Sequence, residues 1–86
     1  MYSVLLTDVA RRFYEHAETA LQHRLDRCFR LLAQDPFRHP NIKLLRAQWT
    51  GFRRFRLGDY RIVYAVDEAR QTLVVAVIAH RREVYE

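Results

Sequence analysis

Arg54, Arg56, Arg61, His80, Arg81 and Tyr85 are the residues of this chain best suited to chemistry. The first three fall in the stretch from Trp49 to Tyr64, WTGFRRFRLGDYRIVY, which reads as two strands joined at Gly58-Asp59. A two-residue turn of this kind suits a hairpin with positive φ at its first position. Folded there, Leu57 faces Tyr60, Arg56 faces Arg61, Phe55 faces Ile62 and Arg54 faces Val63. Side chains alternate between faces along a strand. One face then carries Phe55, Leu57, Tyr60, Ile62 and Tyr64, and the other carries Arg54, Arg56 and Arg61. Arg54 and Arg56 stand about 7 Å apart along one strand. The Cβ atoms of Arg56 and Arg61 stand about 5 Å apart across the pair, and like charges so placed destabilise a sheet. An anion bound between them removes that repulsion. A solvated arginine face, partly neutralised by Asp59 or Glu83, is the plain alternative.

His80, Arg81 and Tyr85 follow a second apolar strand, Leu73 to Ala79. If the loop before it closes so that Val66 faces Leu73, Arg61 faces Ile78. His80 then emerges on the Arg61 side of the sheet. Cations, an imidazole and a phenol around one basic surface suit RNA strand cleavage by attack of a 2′-hydroxyl on the adjacent phosphate. That reaction needs a base for the hydroxyl, positive charge for the phosphorane and an acid for the leaving 5′-oxygen. Fixed cations supply the second, and His or Tyr the proton transfers. Each residue has a plain alternative: Tyr85 as a ring packed on the sheet, His80 as a strand-end histidine bonded to backbone. There is no carboxylate pair, HExxH motif, phosphate-binding glycine loop or Ser-His-Asp set. His16, His23, His39 and His80 lack the spacing of metal ligands. No metal and no cofactor is expected.

The remaining sequence must position these groups. It comprises 86 residues, enough for one domain over 1–86 with one small core. Half of it is hydrophobic, which marks a globular chain. The formal net charge is +5, and 14 of the 15 basic residues are arginine, Lys43 being the lysine. Arginine presents a planar fork matched to phosphate oxygens. Such a balance favours a nucleic-acid or acidic-protein partner; an arginine-rich genome is the plain alternative. Cys28 is the only cysteine, so no internal disulfide forms, and a reducing cytoplasm fits. Its place on an apolar helix face makes it a core residue. No apolar run approaches the ~18 residues of a membrane span, so no membrane partner is expected.

Tyr2 to Leu6 reads as a short strand. Thr7 has the character of a helix N-cap, with Asp8 in the first turn. Val9, Phe13 and Ala17 repeat at helical spacing, and the helix should end near His16 to Glu18. Thr19 to Gln22 has the form of a capping box and begins a second helix. Leu21, Leu25, Cys28, Phe29 and Leu32 line its apolar face, and Asp35-Pro36 ends it. Asn41 to Gln48 is ambiguous, with Leu44 and Leu45 expected in the core. Leu73 to Ala79 has the pattern of a strand covered on both faces. Phe55, Leu57, Ile62, Tyr64, Val75 and Val77 are expected to meet Phe13, Leu25, Phe29 and Leu32.

The run Gly51 to Tyr64, the apolar strand after it and the ending His80-Arg81-Arg82-Glu83-Val84-Tyr85 together resemble the RelE/ParE toxin superfamily. The GDYR and HRREVY segments carry most of the likeness. The resemblance implies an α+β fold in the order β-α-α-β-β-β. In it a small antiparallel sheet carries an N-terminal helical hairpin on one face. It also implies a toxin of a type II toxin–antitoxin pair, with an antitoxin as partner.

The RelE branch of that superfamily cleaves mRNA on the ribosome without a metal. Carried over by position, Arg54 and Arg56 match its two basic strand residues, Arg61 its GYR arginine, Arg81 the arginine after the last long strand, and Tyr85 its C-terminal tyrosine. Arg61, Arg81, Tyr85, Arg56 and His80 are thus the expected catalytic residues. Arg53, Arg54, Arg56, Arg82 and Lys43 are the expected RNA- and phosphate-binding residues, with ribosome and mRNA as partners. Ala79 departs from the family, replacing the glycine usual before His-Arg. The ParE branch, which has the same fold and inhibits DNA gyrase without nuclease chemistry, is the second reading. A non-toxic nucleic-acid-binding module is the third.

Overall fold

The computed structural model describes residues 1–81. Strand β1 (Ser3–Leu6) leads into helices α1 (Asp8–His16) and α2 (Thr19–Gln34), followed by β2 (Ile42–Leu44), a single 3-10 turn at Ala47–Trp49, β3 (Arg53–Leu57), β4 (Tyr60–Asp67) and β5 (Thr72–His80). The five strands form one sheet in the order β1-β5-β4-β3-β2. The α+β class and the helical hairpin are as expected. The sheet is mixed, however: β1 runs parallel to β5, and the ambiguous segment after Asn41 supplies a fifth strand.

The helices cover one face. Leu25, Cys28 and Leu32 of α2 and Ala10 of α1 pack with Phe55, Ile62, Tyr64, Leu73, Val75 and Ile78 of the sheet. Phe13, Leu21, Phe29 and Leu57 close its margins. Tyr64 is fully buried and donates its hydroxyl to the carbonyl of Pro36 at 2.7 Å, so its one polar atom is satisfied. Of the two leucines expected inside, Leu45 is buried and Leu44 is exposed. Among the described residues, no helix is long and apolar enough to cross a membrane.

Two local devices shape the hairpins. At the β3–β4 turn, Gly58 has φ +59, and a Cβ there would meet the Arg24 guanidinium at 2.6 Å. The positive φ is what favours glycine there, since the Arg24 side chain could swing aside. In β5, Tyr64 pairs with Val75 but Val63 pairs with Val77, leaving Ala76 as a bulge. Thr7 holds it: its hydroxyl donates to the Ala76 carbonyl at 2.6 Å and accepts the Ala10 N–H at 3.2 Å as the cap of α1. The expected cap at Thr19 is not formed. Glu18 stands at that position without a side-chain bond, and Gln22 instead donates to the Tyr14 carbonyl ending α1, at 2.8 Å.

The bulge corrects the expected packing of β5. One added residue reverses which side chains face the helices. Ile78, not Val77, joins the core opposite Ile62, and Val77 lies on the far face beside Val63.

Candidate functional site

The far face of the sheet carries the basic residues. Register places Arg54 opposite Val63, Arg56 opposite Arg61 and Leu57 opposite Tyr60, as the turn at Gly58-Asp59 requires. Strand β2 adds Lys43 directly opposite Arg54. Two like-charged pairs, Lys43 with Arg54 and Arg56 with Arg61, thus lie side by side. Val63 and Ala79 form a buried apolar floor on this face. Charges beside a dry floor interact more strongly than charges in water. Arg56 and Lys43 are exposed, and Arg54 and Arg61 half-buried, so the cluster can meet a ligand from solvent.

Several contacts set the arginines. Arg54 Nη1 donates to the Asn41 carbonyl at 2.6 Å. Asn41 in turn donates its side-chain amide to the Arg56 carbonyl at 2.9 Å. Arg61 Nη1 lies 3.4 Å from the carbonyl of Tyr60, a long contact. Beyond the end of β5 the Arg81 N–H donates to the Asp59 carbonyl at 2.7 Å, and its guanidinium lies 3.8 Å from the Asp59 carboxylate. Arg81 follows His80 and falls on the Arg61 side by alternation.

Two expected site residues stand elsewhere. His80 pairs with Tyr60, not beyond Arg61, because the bulge at Ala76 shifts the register: Arg61 faces Ala79 rather than Ile78. Its ring packs edge-on against Tyr60, with centroids 5.5 Å apart, on the helix side. Arg53 pairs with Tyr64 on that same side, and its guanidinium stacks over the Phe37 ring at 4.7 Å. Arg82 and Tyr85 lie outside the described residues. Sequence reasoning missed Asn41; its signal, a Pro-Asn pair, marks any turn.

Burial pushes the Cys28 thiol up to about 12, which keeps it protonated near neutral pH. Among the described residues, no group of three His, Cys, Asp or Glu side chains could hold a metal ion. A cleft of about 500 Å³ opens on the helix side between Phe13, Leu21, Arg24 and Tyr60, away from the basic face.

A small basic α+β domain with an arginine-lined sheet face is the class that fold and site define. The model of the family described as "ParE toxin of type II toxin-antitoxin system, parDE" matches residues 5–85. The chain belongs to this family, within the RelE/ParE toxin superfamily. It is 31% identical over 85 residues to Toxin RelG of Mycobacterium tuberculosis, covering 98% of this chain and 95% of that protein. The toxin-antitoxin complex RelBE2 of M. tuberculosis contains a chain 30% identical at TM-score 0.80, covering 93% of this chain and 98% of that one. A chain of the intact E. coli RelBE complex shares the fold at TM-score 0.78 and 18% identity, covering 93% of this chain and 96% of that one.

Proposed function

We propose that this toxin is a ribosome-dependent mRNA endoribonuclease, held inactive by a cognate antitoxin. The observation that carries the reading is the gathering of Lys43, Arg54, Arg56 and Arg61 on one open sheet face, with Arg81 beyond the strand end. The 2′-oxygen of one nucleotide attacks the adjacent phosphorus and gives its proton to a base. The bond from phosphorus to the 5′-oxygen breaks, and that oxygen takes a proton from an acid. The products are a 2′,3′-cyclic phosphate and a 5′-hydroxyl. Arg61, Arg56 and Arg81 stabilise the charge that grows on the phosphorane, which accelerates the step rather than merely tightening binding. Lys43 holds the neighbouring backbone, and Arg54 supports Arg56.

Tyr85 is the proposed base. A phenol must lose its proton to act as a base, its ordinary value is ~10, and cations placed beside a phenol lower that value. The place of His80 on the helix side favours Tyr85 over it. The solved complexes of RelBE2 and RelBE with their antitoxins support an antitoxin partner here. An acidic antitoxin segment would neutralise the basic face.

The match to a ParE family model favours one other reading, gyrase inhibition without nuclease chemistry. Single-turnover cleavage on programmed ribosomes, mapped by toe-printing, separates the two. Cleavage that Tyr85→Phe lowers, and that Arg61→Ala lowers by ~10²–10³ without unfolding, is expected. Growth arrest without mRNA cleavage would assign the chain to the gyrase reading.

A further inference from the structure

We propose that Asn41 is a positioning residue that aims Arg54 at the same anion as Arg56. The two strands pair from Ile42 opposite Phe55 to Leu44 opposite Arg53, so Asn41 stands opposite Arg56, one step beyond the ladder. A regular antiparallel pair there would exchange two backbone bonds. Only one is made: the Arg56 N–H donates to the Asn41 carbonyl at 3.0 Å. The Asn41 N–H is turned away to His39 Nδ1 at 3.0 Å. Its side-chain amide takes over the missing bond, donating to the Arg56 carbonyl at 2.9 Å. Asparagine thus closes a ring with β3 that its own backbone cannot close.

That ring fixes the Asn41 carbonyl, and the carbonyl has a second task. It accepts Arg54 Nη1 at 2.6 Å. Arg54 is rooted opposite Lys43, two residues from Arg56 along β3. Reaching the carbonyl opposite Arg56 draws its guanidinium along the strand to the level of Arg56. Two cations rooted about 7 Å apart are thereby brought toward one point. A guanidinium has five donors, and the bond to Asn41 occupies one of them. Shorter side chains cannot span to the Arg56 carbonyl, and removal of the amide frees the turn and the acceptor of Arg54 together.

The effect on RNA rests on the cleavage reading above; the effect on Arg54 does not. The test is a double-mutant cycle of wild type, Asn41→Ala, Arg54→Ala and the double variant. Three readouts serve: the denaturation midpoint, equilibrium binding of a short single-stranded RNA, and single-turnover cleavage on programmed ribosomes. Asn41→Ala should weaken RNA binding and cleavage about five- to tenfold in wild type, and by less than about twofold in Arg54→Ala. A residue serving only the fold would lower both backgrounds alike. Equal losses in the two backgrounds, or no loss in wild type, would overturn the proposal. If Asn41→Ala does not fold, Asn41→Ser, which keeps a turn-forming side chain but loses the reach, takes its place in the cycle. A wild type that binds RNA and never cleaves it refutes the nuclease reading, and the binding cycle still decides Asn41. A wild type that does not bind RNA overturns the proposal itself.

Discussion

Tyr60 and His80 stand directly opposite each other on β4 and β5, their rings edge-on at 5.5 Å between centroids. Phe13 of α1 meets the same Tyr60 ring at 5.9 Å. His80 therefore belongs to an aromatic seam on the helix side, with the sheet between its ring and Arg54, Arg56 and Arg61. His80→Ala should lower stability by about 1 kcal/mol through the lost ring contact. Cleavage should stay within about threefold of wild type, because general acid–base catalysis is worth ~10²–10⁴ and this ring is placed to supply none. A hundredfold loss in single-turnover cleavage would return His80 to the mechanism.

Arg53 and Arg61 offer a matched contrast. Both are half-buried arginines on adjacent strands, on opposite faces of one sheet. Arg61→Ala should reduce cleavage by ~10²–10³, the usual cost of one contact to charge developing in a transition state. Arg53→Ala removes the stack over Phe37 and should reduce stability by roughly 0.5–1 kcal/mol. Its cleavage rate, measured at saturating ribosomes, should match wild type. Equal losses for the two variants would mean that the faces are not functionally distinct.

The same contrast explains how much of the site was legible in the sequence. Gly58-Asp59 fixes the β3–β4 register, and period two then sorts Arg54, Arg56 and Arg61 onto one face without further information. Strict alternation also sends Arg53 to the other side, so its grouping with the phosphate-binding residues ignored its own strand. The misplacement of His80 has a different origin. Leu73 to Ala79 is apolar at every position, and such a run carries no alternation from which a bulge at Ala76 can be read. The parallel pairing of β1 with β5 leaves no local mark either, because its partners lie far apart in sequence. Strand β2 is only three residues long, and exposed Lys43 and Leu44 fill most of it, so no buried face announces it.

Thr7 ties the bulge to the start of α1 and should be sensitive to loss of its hydroxyl. Thr7→Val keeps the branched shape and removes both the cap on Ala10 and the donor to Ala76. Loss of a cap typically costs about 0.5–2 kcal/mol, and a carbonyl left without its donor adds to it. Thr7→Ser retains the hydroxyl and should recover most of the difference. Urea denaturation compares the three proteins, and a valine variant as stable as wild type would show that neither bond matters.

Alkaline pH should destabilise the fold through Cys28 and Tyr64. Burial pushes the thiol up to about 12 from an ordinary value of 9.0, and holds the Tyr64 phenol above its ordinary 10.0. Arg53 opposes the shift at Tyr64 but does not reverse it. Well below pH 9 both groups are protonated whether the chain is folded or not, so they add no pH dependence there. As pH rises from there toward 12, the unfolded chain releases these protons while the folded chain keeps them. The unfolded state then binds fewer protons, and stability falls with rising pH. Arginine does not titrate in this range and cannot compensate. Urea midpoints should hold steady from about pH 7 to about pH 8.5 and decline by about pH 10.5. Tyr64→Phe removes one of the two groups and should make the decline shallower, although it also loses the bond to Pro36 and begins from lower stability. A midpoint unchanged through about pH 10.5 would mean that both groups ionise as readily in the fold as in the open chain.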